Sequence, residues 1–155
     1  MSVKADGETF RRIPIFAECD PVHLQVLAFS AIRQSFAAGE TLMREDDPAD
    51  AAFLILSGET TLTARREGAI GTAGAGALLG EVAMIGARPY ALTVVASEPV
   101  TALRIDRELF LRVAQEFPEF AATVFKSLAR KLERSVGEIG ATRQAFEQAR
   151  SFGGA

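Results

Sequence analysis

Residues 80–96 read GEVAMIGARPYALTVVA, and this stretch decides how the segments on either side of it are interpreted. Gly80 allows the backbone to approach a ligand closely, and the acidic residue Glu81 follows it directly. A short apolar turn, a loop at Gly86–Pro89 and a β-branched strand from Leu92 come next. The backbone N–H groups at the start of a one-turn helix are unpaired and attract anions. The order therefore predicts an anion site, with Glu81 placed to accept hydrogen bonds from hydroxyl groups of the same ligand.

The composition is that of an ordinary globular protein. The chain has 155 residues, of which 48% are hydrophobic and 24% charged, and its formal net charge is −3. This length favours a single domain over residues 1–155. The acidic balance disfavours a nucleic-acid surface, which is normally basic. The sequence shows no signal peptide and no apolar run of membrane-spanning length, so we expect a cytoplasmic protein that does not insert into a membrane.

The residue types that most often carry metal or nucleophilic chemistry are scarce. Cys19 is the only cysteine and His23 the only histidine, which excludes an internal disulfide, a thiolate cluster and a multi-histidine metal site. We interpret His23 as an exposed imidazole and Cys19 as a half-buried thiol. The acidic loop Arg44–Asp50 lacks the spacing of a calcium loop, and Gly74–Gly76 lacks the Gly-Lys-Ser/Thr of a phosphate loop. We therefore expect neither a cofactor nor an enzymatic activity.

Short strands separated by turn residues fill the middle of the chain. The strand candidates are Ile32–Phe36, Thr41–Met43, Ala51–Leu56, Glu59–Ala64, Ala69–Ala73, Leu92–Ala96 and Val100–Ile105. The turn at Ser57-Gly58 predicts that the third and fourth of these form a hairpin. Several short strands without long helices between them indicate an antiparallel roll or barrel.

Helical patterns flank the strands. Residues Met1–Glu8 are polar and are expected to be frayed, and Phe10–Phe16 reads as a bent helical lead-in. Asp20-Pro21 is a strong helix start, with Asp as the N-cap and Pro at the first position. Four apolar residues of this helix are expected to face inward: Val22, Leu24, Leu27 and Ala28.

The last third of the chain has a helical period. Asp106 is placed to cap one helix and Pro118 to start another. The second helix carries an apolar stripe of Phe120, Val124, Leu128, Leu132 and Val136, which Ile139 and Phe146 continue. Gly137 and Gly140 favour a break in it. Its basic side, Lys126, Arg130, Lys131 and Arg134, is interpreted as a solvated face.

This order of segments resembles the cyclic nucleotide-binding domain, the sensor domain of catabolite activator proteins, protein kinase A regulatory subunits and cyclic-nucleotide-gated channels. The resemblance covers residues 10 to 132 and rests on the helical lead-in, Gly39-Glu40 through Glu45-Asp46-Asp47, the segment Phe53–Glu59, Gly76 ahead of Leu79-Gly80-Glu81, and two closing helices. It implies a mainly β fold: a double-stranded β-helix, or jelly-roll-like β-roll, over about residues 30–105. An N-terminal helix precedes the roll, and C-terminal helices follow over about residues 106–150.

The resemblance also implies a phosphate-binding cassette at residues 80–94. In the family pattern the cassette glutamate, here Glu81, holds the ribose 2′-hydroxyl, and the following amides, here Val82 and Ala83, face the cyclic phosphate. An arginine directly after the cassette proline neutralises that phosphate, and a small residue, here Ala91, comes next. The ligand-binding candidates are therefore Gly80, Glu81, Val82, Ala83, Arg88, Tyr90 and Ala91.

This sequence departs from the family pattern at the arginine. Tyr90 occupies that position, and the nearby Arg88 lies before Pro89 and need not point the same way. Tyr90 is expected either to donate one neutral hydrogen bond to a phosphate or to cover the pocket with its ring. A charge-assisted contact contributes about 1.5–3 kcal/mol, so its loss should weaken binding roughly ten- to hundredfold.

Two functions remain open from the sequence. The first is a regulatory sensor that binds a cyclic nucleotide, cAMP or cGMP, and responds through its C-terminal helices. The second is a degenerate domain of the same fold that binds protein partners, self-associates through its C-terminal helix, or senses another ligand. The chain shows no residues for the helix-turn-helix that follows this domain in the transcription factors, so we expect no direct binding to nucleic acid.

Overall fold

A computed structural model describes residues 3–84 and 86–130. The helices are α1 (Val3–Arg11), α2 (Pro21–Ser30), α3 (Arg107–Glu116) and α4 (residues 118–130). The strands are β1 (Ile32–Phe36), β2 (Thr41–Met43), β3 (Ala51–Ser57), β4 (Thr60–Ala64), β5 (Gly68–Ala73), β6 (Leu78–Leu79), β7 (Thr93–Ala96) and β8 (Val100–Asp106). Short 3₁₀ turns lie at Pro14–Phe16 and Glu81–Met84. The order confirms a mainly β fold with flanking helices.

The strands form two antiparallel sheets of four. Their orders are β1-β8-β3-β6 and β2-β7-β4-β5, so the chain passes repeatedly from one sheet to the other. This is the predicted jelly-roll-like β-roll, and it spans Ile32 to Asp106. Side chains alternate between the faces of each strand, and the inward faces fill the space between the sheets, except on β5, which is exposed along most of its length.

The predicted hairpin of the third and fourth strands is wrong. β3 pairs with β8 and β6, whereas β4 pairs with β5 and β7 in the other sheet. Gly58, which lies between them at φ +91°, sits against Pro99 and Val100, and the turn there redirects the chain to the second sheet. A turn signal marks where a strand ends, but it does not determine which strand becomes its neighbour.

The expectation of a frayed N-terminus is also wrong, because α1 is formed over most of that segment and packs on α2. Asp6 is buried, and its Oδ2 accepts a hydrogen bond of 2.8 Å from the guanidinium of Arg33. Gly7 lies against Gln25 of α2 and leaves room for close packing of the two helices. This ion pair and the helix contact hold a segment whose polar sequence does not predict order.

Helix α2 begins where the sequence predicted, and three of the four residues predicted to face inward are buried. The Asp20 carboxylate accepts a hydrogen bond of 2.9 Å from the Val22 amide, and Pro21 takes the first position. Leu24, Leu27 and Ala28 are buried, but Val22 is 60% exposed because it lies on the opposite side of the helix from Leu27 and Ala28. The inward placement of Val22 was therefore an error.

The core has two parts, one on each face of the β1-β8-β3-β6 sheet. One cluster lies between the two sheets and includes Phe36, Phe53 and Tyr90. The other lies between this sheet and the helices, where the Phe120 ring centroid is 6.2 Å from that of Phe16 and 5.7 Å from that of Phe110. Phe120, Val124 and Leu128 of the predicted stripe belong to this second cluster.

Several predictions fall outside the described residues. They concern the stripe from Leu132 to Phe146, the break at Gly137 and Gly140, the basic residues Lys131 and Arg134, and the helical extent beyond residue 130. The assignment of residues 1–155 to one domain likewise stays a prediction. Across the described ranges, no helix is both long and apolar enough to cross a bilayer.

Candidate ligand-binding cassette

The segment that opened the sequence analysis forms a turn between β6 and β7. Gly80 has φ +73°, a left-handed conformation that favours glycine, and a 3₁₀ turn over Glu81–Met84 follows it. The Ala83 amide donates to the Gly80 carbonyl over 2.9 Å. The backbone therefore has the predicted order of glycine, acid and helical turn, although the Ala83 N–H is bonded within the turn itself.

The space beside Gly80 is filled by side chains of the protein. A Cβ added at Gly80 would lie 3.3 Å from the Met43 methyl carbon, 3.3 Å from a ring carbon of Tyr90 and 3.4 Å from the Ala51 carbonyl oxygen. The close approach predicted at this glycine is thus an approach by Tyr90 and Met43. In this structure Gly80 serves core packing as well as turn geometry.

Tyr90 points into the roll. It is 8% exposed, belongs to the core cluster between the sheets, and its hydroxyl donates a hydrogen bond of 2.7 Å to the Ala51 carbonyl of β3. Burial raises the pKa of Tyr90 above its ordinary value, a nearby carboxylate at Asp50 adds to that rise, and the hydrogen bond to Ala51 opposes it. The sequence left two roles open for Tyr90: a hydrogen bond to a phosphate, or covering of the pocket by its ring. In the structure the ring lies on the inner side of the cassette, and its hydroxyl donates to the protein's own backbone.

The main chain around Tyr90 is tied to the loop before β3. The Tyr90 amide donates to the Asp47 carbonyl over 3.0 Å, and its carbonyl accepts from the Asp46 amide over 2.9 Å. The Ala49 amide likewise donates to the Arg88 carbonyl over 3.0 Å. This short antiparallel pairing holds the backbone at residues 88–90 independently of any side chain.

The remaining predicted site residues have different surroundings. Arg88, Val82 and Ala91 are exposed, and Ala83 is buried. Glu81 is half-buried and lies at the wall of a cleft of about 650 Å³. The structure therefore brings Glu81 to a cleft of ligand size, whereas Tyr90 and Ala83 are in the core and Arg88 is at the surface.

The cleft joins the cassette to the helices. Besides Glu81, its lining includes residues of the N-terminal segment from Arg12 to Glu18, Ser127 and Arg130 of α4, and Gly76–Leu78. Ser127 is buried. The Arg130 guanidinium donates to the Ser127 hydroxyl over 3.4 Å and to the Glu18 carboxylate over 2.9 Å. A molecule in this cleft would touch the cassette and α4 together.

Sequence reasoning missed Arg107, the first residue of α3. Its Nη1 donates to three carbonyl oxygens: Ala49 at 2.9 Å, Gly86 at 3.1 Å and Ala83 at 3.2 Å. Its backbone amide donates to the Asp50 carbonyl over 2.8 Å. The guanidinium therefore ties the cassette to α3 and to the loop before β3. The sequence offers little warning, since Arg107 reads as an ordinary residue after a helix cap.

Charged groups are also present at the end of the roll near Tyr90. Arg104 lies opposite Phe53 in the β3–β8 register, and its guanidinium carbon is 5.7 Å from that ring. Its nitrogens donate to Asp106 over 2.8 Å and to Asp50 over 3.3 Å. Asp106 stands at the predicted cap position of α3, but its carboxylate pairs with Arg104 and makes no cap hydrogen bond.

Cys19 and His23 make no visible ligand set. Cys19 is buried, and burial, with a smaller contribution from Glu18, raises its pKa to about 11, so the thiol is protonated at neutral pH. His23 is half-buried and its ring lies 4.5 Å from that of Phe117, whereas an exposed imidazole was expected. Within residues 3–84 and 86–130, no group of three or more His, Cys, Asp or Glu side chains could hold a metal ion.

Comparisons with known proteins agree with the fold. The chain is 25% identical over 132 residues to the CRP-like cAMP-activated global transcriptional regulator of Mycobacterium tuberculosis, covering 83% of this chain and 59% of that protein. The N-terminal domain of a transcriptional regulator from Streptomyces coelicolor superposes with a TM-score of 0.79 at 26% identity, covering 85% of this chain and 94% of that one. A cyclic nucleotide-binding-like protein from Brucella abortus has a TM-score of 0.66 at 34% identity, covering 72% and 98%.

The match to a family profile is more extensive than any single motif. The profile of the cyclic nucleotide-binding domain aligns with residues 33–117, more than half of the chain, and includes both sheets, the cassette and α3. The chain spans 59% of the length of its mycobacterial relative, so the similarity concerns only a part of that protein. The two four-stranded sheets, the glycine–acid turn between β6 and β7 and the profile match together show that this chain belongs to the cyclic nucleotide-binding domain family.

Proposed function

We propose that this chain is a regulatory module that binds a cyclic nucleotide at the cassette and transmits binding through its C-terminal helices. cAMP is the first ligand to test, because the mycobacterial relative is described as cAMP-activated. The proposed contacts follow the sequence analysis: Glu81 for a sugar hydroxyl, the amides of Val82 and Ala83 for the phosphate, and Arg88 as the nearby cation. The Ala83 amide would have to give up its bond to the Gly80 carbonyl to make this contact. The module has a regulatory role in this proposal, with no catalysis of its own.

The observation that supports this most directly is the position of Glu81. Glu81 lines the cleft of about 650 Å³, a volume in the range of small-molecule pockets. It directly follows Gly80, which has a positive φ. Carboxylate oxygens accept hydrogen bonds only, which suits paired donors such as sugar hydroxyls. Ser127 and Arg130 of α4 line the same cleft as Glu81, which supports a response in which one ligand biases the position of that helix.

The first test is isothermal titration with cAMP and cGMP at concentrations reaching the millimolar range. We expect saturable binding that weakens about tenfold or more in Glu81→Ala, since a hydrogen bond to a charged group is lost. Arg88→Ala should weaken binding by a smaller factor, because the exposed guanidinium acts through solvent. Glu98→Ala is the matched control: it removes an exposed carboxylate outside the cassette and should leave affinity unchanged. Unchanged affinity in both cassette variants would refute the proposal.

The second candidate function is a domain of this fold that works through protein contacts. It is favoured by Tyr90, whose ring fills the inner side of the cassette where the family has an arginine. In this function α4 carries the contact surface. The part of its apolar stripe that lies within the described residues faces the chain's own core, and Phe125 remains at the surface. An absence of any nucleotide binding, together with self-association through α4, would favour this candidate.

A further inference from the structure

The cleft and the cassette do not coincide. The cleft includes Glu81, yet the space beside Gly80, one residue earlier, is filled by the Tyr90 ring and the Met43 methyl group. A ligand that entered the cleft would reach the acid, but the inner side of the half-buried Gly80 would be occupied by the Tyr90 ring. The residue that covers it is the same one that stands at the family's arginine position.

We propose that Tyr90 keeps the cassette closed from inside, and that its ring must leave its position against Gly80 before a ligand phosphate can reach the turn. This rests on the proposed function and adds its regulation. Tyr90 thereby sets the affinity of the site as an internal competitor of the ligand. The contact that closes the cassette is the bond from its hydroxyl to the Ala51 carbonyl on β3.

The arrangement permits opening by a side-chain movement. The main chain of Tyr90 is held by its own hydrogen bonds to Asp46 and Asp47, which do not involve the ring. Rotation about the Cα–Cβ bond can therefore move the ring while the backbone pairing stays intact. What opposes the rotation is the buried hydroxyl bond and the packing of the ring in the core between the sheets.

This closure has a measurable consequence for binding. When the binding-competent state is only a fraction of the population, the apparent affinity falls by that fraction. Removing the hydroxyl bond should raise the fraction and strengthen binding. The same change should loosen the turn in the absence of any ligand, which gives a readout that does not depend on which ligand is correct.

The test compares wild type with Tyr90→Phe, which keeps the ring and removes only the hydroxyl. We expect amide hydrogen exchange in peptides covering Gly80–Met84 and Arg88–Tyr90 to be about tenfold faster, and cAMP to bind about tenfold more tightly by isothermal titration. Thr60→Val is the matched control, because the Thr60 hydroxyl also donates over 2.7 Å to a backbone carbonyl, that of Ala73. Thr60 and Ala73 both lie in the sheet that does not contain Ala51. It should change exchange in β4 and β5 and leave the cassette and the affinity as they are.

The outcomes distinguish closure of the cassette by Tyr90 from binding of a cyclic nucleotide. Faster cassette exchange with tighter cAMP binding in Tyr90→Phe supports both. Unchanged exchange, or the same change in the Thr60→Val control, overturns the closure by Tyr90 even if cAMP binds the wild type. cAMP binding that is equal in wild type and Tyr90→Phe overturns the competition. Faster exchange with no nucleotide binding to any variant supports the closed cassette and refutes the proposed ligand.

Discussion

Gly58 and Gly39 show how one backbone conformation can have different consequences at two positions. Both have φ +91°, where residues with a Cβ are strained. Around Gly39 a Cβ would meet nothing within 4 Å, whereas at Gly58 it would overlap the Pro99 carbonyl oxygen and lie 2.8 Å from a methyl carbon of Val100. Gly58 is therefore required by its conformation and by the approach of the segment leading into β8.

We predict that Gly58→Ala destabilises the fold far more than Gly39→Ala. The change at Gly39 should cost about 1–2 kcal/mol from backbone strain, and the change at Gly58 should add roughly 1–3 kcal/mol of overpacking. Urea unfolding measures the difference in the free energy of unfolding, provided that both variants show the same dependence of that free energy on urea concentration. Equal losses at the two positions would show that the Pro99 segment moves aside at no cost.

At the scale of elements, Arg107 joins parts of the chain that are far apart in sequence. One guanidinium nitrogen serves carbonyls of the loop before β3 and of the cassette, and the residue itself starts α3. Carbonyls near the end of a short helical turn have no partner within the turn. A cation there donates hydrogen bonds to them and interacts favourably with the negative end of the local dipole. These hydrogen bonds connect the cassette to the start of α3.

We predict that Arg107→Gln lowers the free energy of unfolding by about 2–3 kcal/mol, because a charged donor is lost from the carbonyls of Ala49, Ala83 and Gly86. Arg112→Gln, an exposed arginine on the same helix, should change stability by no more than about 0.5 kcal/mol. Chemical unfolding of the two variants checks this. If the Arg107 variant behaved like the Arg112 variant, the bridge would contribute nothing to stability.

Across the whole molecule, the helices form a layer against one sheet of the roll. Phe120 of α4 stacks on Phe16 of the N-terminal segment and contacts Phe110 of α3, so α4 is held by both ends of the domain. Phe125 of α4, which is 41% exposed, contacts Phe110 from the outer side. The Phe125 ring therefore leaves apolar surface on the outer side of α4.

We predict that the protein self-associates through this outer side and that Phe125→Glu converts the assembly to a monomer, because a charge would have to be buried in the contact. Val22→Glu is the control, since Val22 is also an exposed apolar residue but lies on α2. Light scattering over a range of protein concentrations measures both variants. A wild-type protein that stays monomeric throughout would contradict the prediction.

Much of the fold could be predicted from the sequence because its signals are local. The strand positions, the Asp20 cap, the start of α4 at Pro118 and the order of glycine, acid and turn in the cassette all depend on residues a few positions apart. The family pattern added the roll architecture. The prediction for Val22 was wrong because this residue lies about 120–160° around the helix from the buried Leu24, Leu27 and Ala28.

The sequence by itself therefore determined most of the strands, helices and turns, although not α1 or β6, and the family to which their order belongs. Only the tertiary structure decided that β3 and β4 lie in different sheets, that Tyr90 turns inward and that Arg107 bridges the cassette to α3. These depend on partners distant in the chain: Tyr90 bonds a residue 39 positions away, and Arg107 reaches one 58 positions away. Local propensity carries no information about such partners, because they are selected by how the whole core packs.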